Sequence, residues 1–235
     1  MKIIVGNWKM NGNAEKLADL IADLGAMDTE NRVILCVPYT LLHGGNAVVM
    51  VGAQNVSKYE SGAHTGEVSA EMVSQTRATA TLVGHSECRI AQHDNNADVA
   101  QRAEQAIKHD LLPIICIGET ASERDAGLIH EIIKQGVKES VPVNARNGNF
   151  IIAYEPRWAI GQGITPTTDQ IAEIHKIIRE ILDEMGFAST PILYGASVTA
   201  ENAAEIMGIK NVDGVLVGGA SLKKEDFIPI IKSVK

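Results

Sequence analysis

Eight short apolar runs, almost evenly spaced, constrain this chain more than any other feature. They are Ile3–Val5, Val33–Val37, Val48–Val51, Thr81–Val83, Ile114–Ile117, Phe150–Ala153, Ile192–Tyr194 and Gly214–Val217. Each is continuous rather than alternating, and most are rich in β-branched residues, the pattern of strands buried on both faces. Segments with helical spacing separate most of them: Ala14–Leu24, Asn96–Lys108, Gly127–Glu139, Asp169–Met185 and Ala200–Met207. Leu41–Asn46, after the second run, is short and glycine-containing and supports a helix least. Such alternation predicts a parallel sheet with helices outside it. Eight units in 235 residues, roughly 29 residues apiece, predict an α/β fold of the closed (β/α)8 kind, with eight parallel strands and outer helices.

No linker or break in composition divides the chain, so residues 1–235 are expected to form one barrel domain. An excess of 29 Asp+Glu over 21 Lys+Arg gives a net charge of −8. That balance speaks against nucleic acid or an anionic membrane surface as partner. A small anionic substrate stays compatible, because a few local donors can hold it. Met1-Lys2 leads straight into Ile3, too short for a secretion signal, and no apolar run nears the ~20 residues that span a bilayer. The three cysteines, Cys36, Cys88 and Cys116, form no CxxC pair, and an odd set reads as reduced thiols in a cytoplasmic protein. Cys36 and Cys116 lie in strand-like runs and read as core; Cys88 is the thiol to watch for oxidation.

Barrels of this kind carry their sites at the C-terminal ends of the strands. After the first run come Asn7 and Lys9, two apart on an extended segment and therefore facing the same way. Lys9 suits a phosphate or oxyanion partner, or is simply a solvated loop lysine. After the fourth comes His85, read as a catalytic acid at a helix N-terminus or as a plain strand cap. Glu87 beside it could orient Lys9 or cap a helical turn. Glu155 follows the sixth run, where a carboxylate is costly unless used or paired. The rigid Pro156, the aromatic Trp158 and the glycines Gly161 and Gly163 behind it suit a lid moving about short hinges. Gly195-Ala196-Ser197 and Gly218-Gly219-Ala220-Ser221 follow the last two runs, where backbone N–H groups can cradle a phosphate. Lys58–Ser69, the longest stretch without an element, reads as functional. One carboxylate, one histidine, one lysine and a phosphate cradle, with no metal cluster or dinucleotide fingerprint, fit proton shuttling beside a carbonyl.

Assembled, these segments resemble the triosephosphate isomerase family along essentially the whole chain. The resemblance rests on GNWKMN at Gly6–Asn11, AQN at Ala53–Asn55, TGE at Thr65–Glu67, VGHSE at Val83–Glu87 and CIGE at Cys116–Glu119. It continues in AYEPxWAIG at Ala153–Gly161, YGxSV at Tyr194–Val198 and LVGGASL at Leu216–Leu222. It implies a TIM barrel that interconverts dihydroxyacetone phosphate and glyceraldehyde 3-phosphate through an enediolate, in glycolysis and gluconeogenesis, with no cofactor and no metal. It further implies Glu155 as the base, Lys9 as stabiliser of the enediolate charge, and Asn7 as a substrate contact. His85 would be a neutral electrophile kept so by a helix N-terminus, a device of which this family is itself the standard example. Gly161, Ser197, Gly218 and Gly219 would donate to the phosphate, with Glu87 in support. The loop Asn55–Glu67 would enter a second subunit, Thr65 at its neighbour's site, giving a homodimer with an isologous interface.

The chain departs from that family's pattern at five places. Arg157 and Gln162 replace smaller residues in the lid, and Ala196 stands for a glycine beside the cradle. Cys88 replaces an arginine after the His85 loop, and His64 an aromatic in the dimer loop. None removes a catalytic group, so altered lid kinetics or reduced turnover is expected rather than loss of activity. Two other readings remain at this stage: another phosphosugar barrel enzyme, such as a pentulose-phosphate epimerase or an indole-pathway isomerase, and a phosphosugar-binding barrel without catalysis.

Overall fold

The computed structural model describes residues 1–160 and 165–234. Its strands are β1 (Ile3–Asn7), β2 (Arg32–Cys36), β3 (Val49–Ala53), β4 (Ala78–Val83), β5 (Leu112–Ile117), β6 (Ile151–Tyr154), β7 (Ile192–Tyr194) and β8 (Gly214–Val217). They pair in chain order, all parallel, and β8 closes on β1 with Ile3 opposite Gly214. Helix α1 (Ala14–Gly25) follows β1, α2 (Ala70–Ser74) follows β3, α3 (Ser86–Gln92) and α4 (Asn96–Lys108) follow β4, and α5 (Ala121–Asp125) and α6 (Ile129–Ser140) follow β5; α7 (Thr168–Glu184), α8 (Ala203–Gly208) and α9 (Lys224–Lys232) follow β6, β7 and β8.

The core divides as continuous apolar runs require. Ile3, Val5, Ile34, Cys36, Leu82, Ile114, Cys116 and Leu193 fill the barrel interior, while their neighbours Ile4, Val33, Leu35, Ile115 and Ile192 pack outward under the helices. Alternation therefore exists, but both faces bury apolar side chains, and hydropathy along the strand shows none of it. Cys36 and Cys116 are fully buried, as their runs imply.

Several boundaries move for identifiable reasons. Gly127 has φ +73° after α5, so α6 starts at Ile129 instead. Asn202 accepts from the Thr199 N–H and donates to the Ser197 carbonyl, tying up the turn before α8 and delaying it to Ala203. Between β2 and β3 there is only a 3-10 turn, Tyr39–Leu41. The closing helix α9 carries Pro229 in its interior, which hides it from pattern reading; the Glu225 carbonyl that loses its bond is on an exposed residue. No helix among the described residues is long and apolar enough to cross a membrane.

Candidate active site

A pocket of about 210 Å³ opens at the C-terminal end of the barrel, lined by Asn7, Lys9, His85, Glu155, Ser197, Gly218 and Gly219 among others. Residues from five strand ends, those of β1, β4, β6, β7 and β8, thus converge on one cavity. Gly161 and Gln162 lie outside the described residues. Ile160, Val198 and Leu216 add an apolar wall that sequence reading did not assign.

Asn7 is the last residue of β1, and Lys9 reaches the pocket by a route other than strand alternation. Its φ is +51°, left-handed backbone that a long side chain rarely adopts. Three contacts hold that turn. The Lys9 N–H donates to Asn7 Oδ1 at 3.0 Å, Gln54 Nε2 donates to the Lys9 carbonyl at 2.8 Å, and Trp8 Nε1 donates to the Ser221 carbonyl at 3.0 Å. Strain of this kind persists where surroundings over-determine it, commonly at working sites. The Lys9 ammonium pairs with Glu87 Oε1 at 2.5 Å.

His85 caps α3, and its Nδ1 accepts from the Glu87 N–H at 3.3 Å. A ring nitrogen that accepts from an amide carries no proton, which leaves the hydrogen on Nε2 and the ring neutral. Nε2 points at Glu155 Oε1, 3.2 Å away. Glu87 therefore serves twice: its backbone sets the histidine tautomer and its carboxylate holds Lys9.

Glu155 stands one residue beyond β6 and is 3% exposed. The Ser86 N–H donates to its Oε2 at 3.3 Å. Burial pushes its carboxyl above the usual range, against the opposing pull of His85, the Ser86 N–H and Lys9. Room for it is made by small neighbours. A Cβ on Gly118 would come within 1.8 Å of the Glu155 carbonyl oxygen, and one on Gly195 within 3.1 Å of its Cγ.

Behind Glu155 lies a fully buried carboxylate, Glu119, part of the CIGE segment but without a role from sequence. It accepts from Trp158 Nε1 (2.8 Å), Arg124 (3.1 Å) and the Tyr154 hydroxyl (3.2 Å), and its carbonyl accepts the Arg157 N–H (3.0 Å). The first residues after Glu155 are thereby anchored to the β5 loop.

The remaining expected positions fall elsewhere. Thr65 is exposed on the β3–α2 loop and away from this chain's pocket. His64 stacks on Tyr59 with ring centroids 3.8 Å apart, an aromatic role met by imidazole. Cys88 is half-buried; burial, then the nearby Asp94 charge, pushes its thiol up, so thiolate is scarce and the oxidation-prone reading weakens.

Comparison with known proteins bears on the chain as a whole. The family model described as triosephosphate isomerase matches residues 2–234. The chain belongs to the triosephosphate isomerase family. Among curated members, the triosephosphate isomerase of Bradyrhizobium sp. is 46% identical over 98% of this chain and 96% of its own. The triosephosphate isomerases of Mesorhizobium japonicum and Xanthobacter flavus are 44% and 45% identical over 99% of this chain, covering 96% and 97% of theirs. A crystal structure of triosephosphate isomerase from Bartonella henselae superposes with a TM-score of 0.92 at 34% identity, over 99% of this chain and 98% of that one. Family membership removes the epimerase and indole-pathway alternatives, and the closed eight-stranded barrel shares its overall fold with the Bartonella henselae structure.

Proposed function

We propose that Glu155, His85, Lys9 and Asn7 carry out the isomerase reaction of this family, the interconversion of dihydroxyacetone phosphate and glyceraldehyde 3-phosphate. The observation that carries the assignment is the convergence of a buried carboxylate, a neutral imidazole with Nε2–H inward and an ammonium on one pocket. Glu155 removes the proton from the carbon next to the carbonyl. Its raised proton affinity makes it a stronger base than a solvated carboxylate. His85 donates from Nε2 to the carbonyl oxygen, and Lys9 opposes the negative charge that gathers there as the enediolate forms. Oriented donors in a dry site stabilise such charge far better than water does. Asn7 holds the turn that aims Lys9.

The phosphate sits against Gly218, Gly219 and Ser197, with Gly161 assigned to the same cradle by resemblance alone. Ala196 keeps a methyl at the edge of that cradle. Excluding water also protects the enediolate from losing its phosphate. The partner is a second copy of the chain, placing Thr65 at the neighbour's pocket, and residues 1–235 act as one catalytic domain. The three free thiols, two of them fully buried, support a cytoplasmic setting.

Steady-state isomerisation of glyceraldehyde 3-phosphate, coupled to reduction of the ketone product, tests the assignment. Wild type should turn over, and Glu155→Gln should lose roughly 10²–10⁴-fold in kcat, the contribution of a positioned base. A folded wild type that binds a phosphate analogue without turnover would favour the binding-barrel reading instead.

A further inference from the structure

A second pocket, of about 190 Å³, lies outside the barrel wall between the end of β5, α3, α5 and α6. Two guanidiniums line it, Arg89 and Arg157. Among the described residues Arg89 bonds only neutral acceptors: the carbonyls of Gly84 (2.8 Å) and Cys116 (3.2 Å), Asn96 Oδ1 (3.0 Å) and Ser140 Oγ (3.4 Å). Those four bonds leave one of its five N–H groups unused. Burial, and the Arg157 charge across the pocket, both weaken its hold on the proton. Arg157 makes no ion pair among the described residues, and its backbone is fixed by the Glu119 carbonyl at 3.0 Å.

The nearby carboxylates offset this only in part, because their oxygens are bonded to other groups and pair with neither arginine. Glu123 also lines the pocket, yet its Oε2 accepts the Thr120 N–H (2.7 Å) and hydroxyl (2.8 Å) that cap α5. Glu139 is taken up by Asn96 Nδ2 and Gln135 Nε2, each at 3.0 Å. The lining therefore carries Arg89 and Arg157 against Glu123 alone, a net charge of +1, and neither arginine forms an ion pair among the described residues, which leaves both half-buried charges poorly compensated. We propose that this pocket is a second anion site, in which a free tetrahedral oxyanion such as phosphate binds the Arg157 fork with Arg89 behind it. Arg157 is two residues from Glu155, so an occupied site ties the chain just past the base to the outer wall.

Amide NMR with inorganic phosphate as the probe reads the two sites separately. Gly136 and Asn96 border the outer pocket, while Gly218 and Gly219 border the active site. The expected result is saturable shifts of the Gly136 and Asn96 amides in wild type, lost in Arg157→Gln or in Gln135→Glu, which adds a repelling charge on an exposed helix position. Loss in either folded variant supports the site. Gly136 and Asn96 amides that never move, or that move unchanged in both variants, overturn it. Failure of Gly218 and Gly219 to respond would count against the catalytic assignment and leave the outer site standing.

Discussion

At Glu155 the demands of folding and of chemistry oppose each other. Burial raises the proton affinity of this carboxyl, so its contribution to stability is present below the ordinary carboxylate pKa and is lost as pH rises through the raised folded value. Above that value the buried charge is thus a destabilising element, the cost that the proposed role of Glu155 as base would carry. Glu155→Gln should therefore melt higher than wild type at pH 7 by calorimetry while losing turnover. The same shift sets the acid limb of the kcat/KM–pH profile, which should break above the pKa of about 4.3 expected of an ordinary glutamate. A break at or below that value would show that burial does not tune the base. Lys9 illustrates a different economy of design: its left-handed backbone is held by Gln54, Asn7 and the Trp8 anchor, so its ammonium is placed by neighbours and not by strand geometry.

At the scale of elements, α7 is tied to the barrel through His175, which is fully buried between Tyr154 and Tyr194. Its Nδ1–H donates to the Asn211 carbonyl at 3.0 Å, and burial lowers its pKa to about 4. Unfolded histidine titrates near 6.5, so stability from the neutral ring is full above that pH and drains away as pH falls from 6.5 towards 4. Urea unfolding at pH 7 and pH 5 should differ by about 2 kcal/mol more in wild type than in His175→Gln. The segment after β6 offers a second test at this scale. Arg157 is braced through its backbone to Glu119 while its side chain faces the outer pocket. Arg157→Val should change kcat, KM or both; unchanged values for both would remove Arg157 from any part in hinge motion.

The whole molecule is organised by the closure of β8 on β1, which brings all eight strand ends to one face. On the β3 side the long loop to α2 stands away from this chain's own pocket, yet it is well held. The Ser57 N–H donates to the Val68 carbonyl at 2.8 Å, Lys58 pairs with Asp98 and Lys108 with Glu60. Arg102, buried and bidentate on Asp94, supports its base through the Val56 carbonyl. Such order in an exposed loop suits a preformed interface. Sedimentation equilibrium should give twice the chain mass, and removal of residues 60–66 should give monomers with kcat lower by about 10²-fold, the scale of a small misplacement of catalytic groups. A fully active monomer would end the dimer reading.

Strand number, parallel pairing and the strand-end positions of Asn7, His85 and Glu155 were legible in the chain, because burial on both faces leaves a run of apolar residues that ends abruptly where the site begins. Local chemistry stood out for the same reason: a carboxylate at the end of such a run is costly unless used or paired, whereas the histidine there could also have been a plain strand cap. Tertiary contacts alone decided the rest. The left-handed turn at Lys9 depends on Gln54 from the β3 end, and the histidine tautomer on an amide two residues away in a capped turn. The value of Glu119 depends on a tryptophan, an arginine and a tyrosine that meet only when β5 and β6 lie side by side. Apolar pattern is a property of each segment and can be read there; the charge state and aim of a polar group belong to the neighbours that folding brings, and those appear only in the closed barrel.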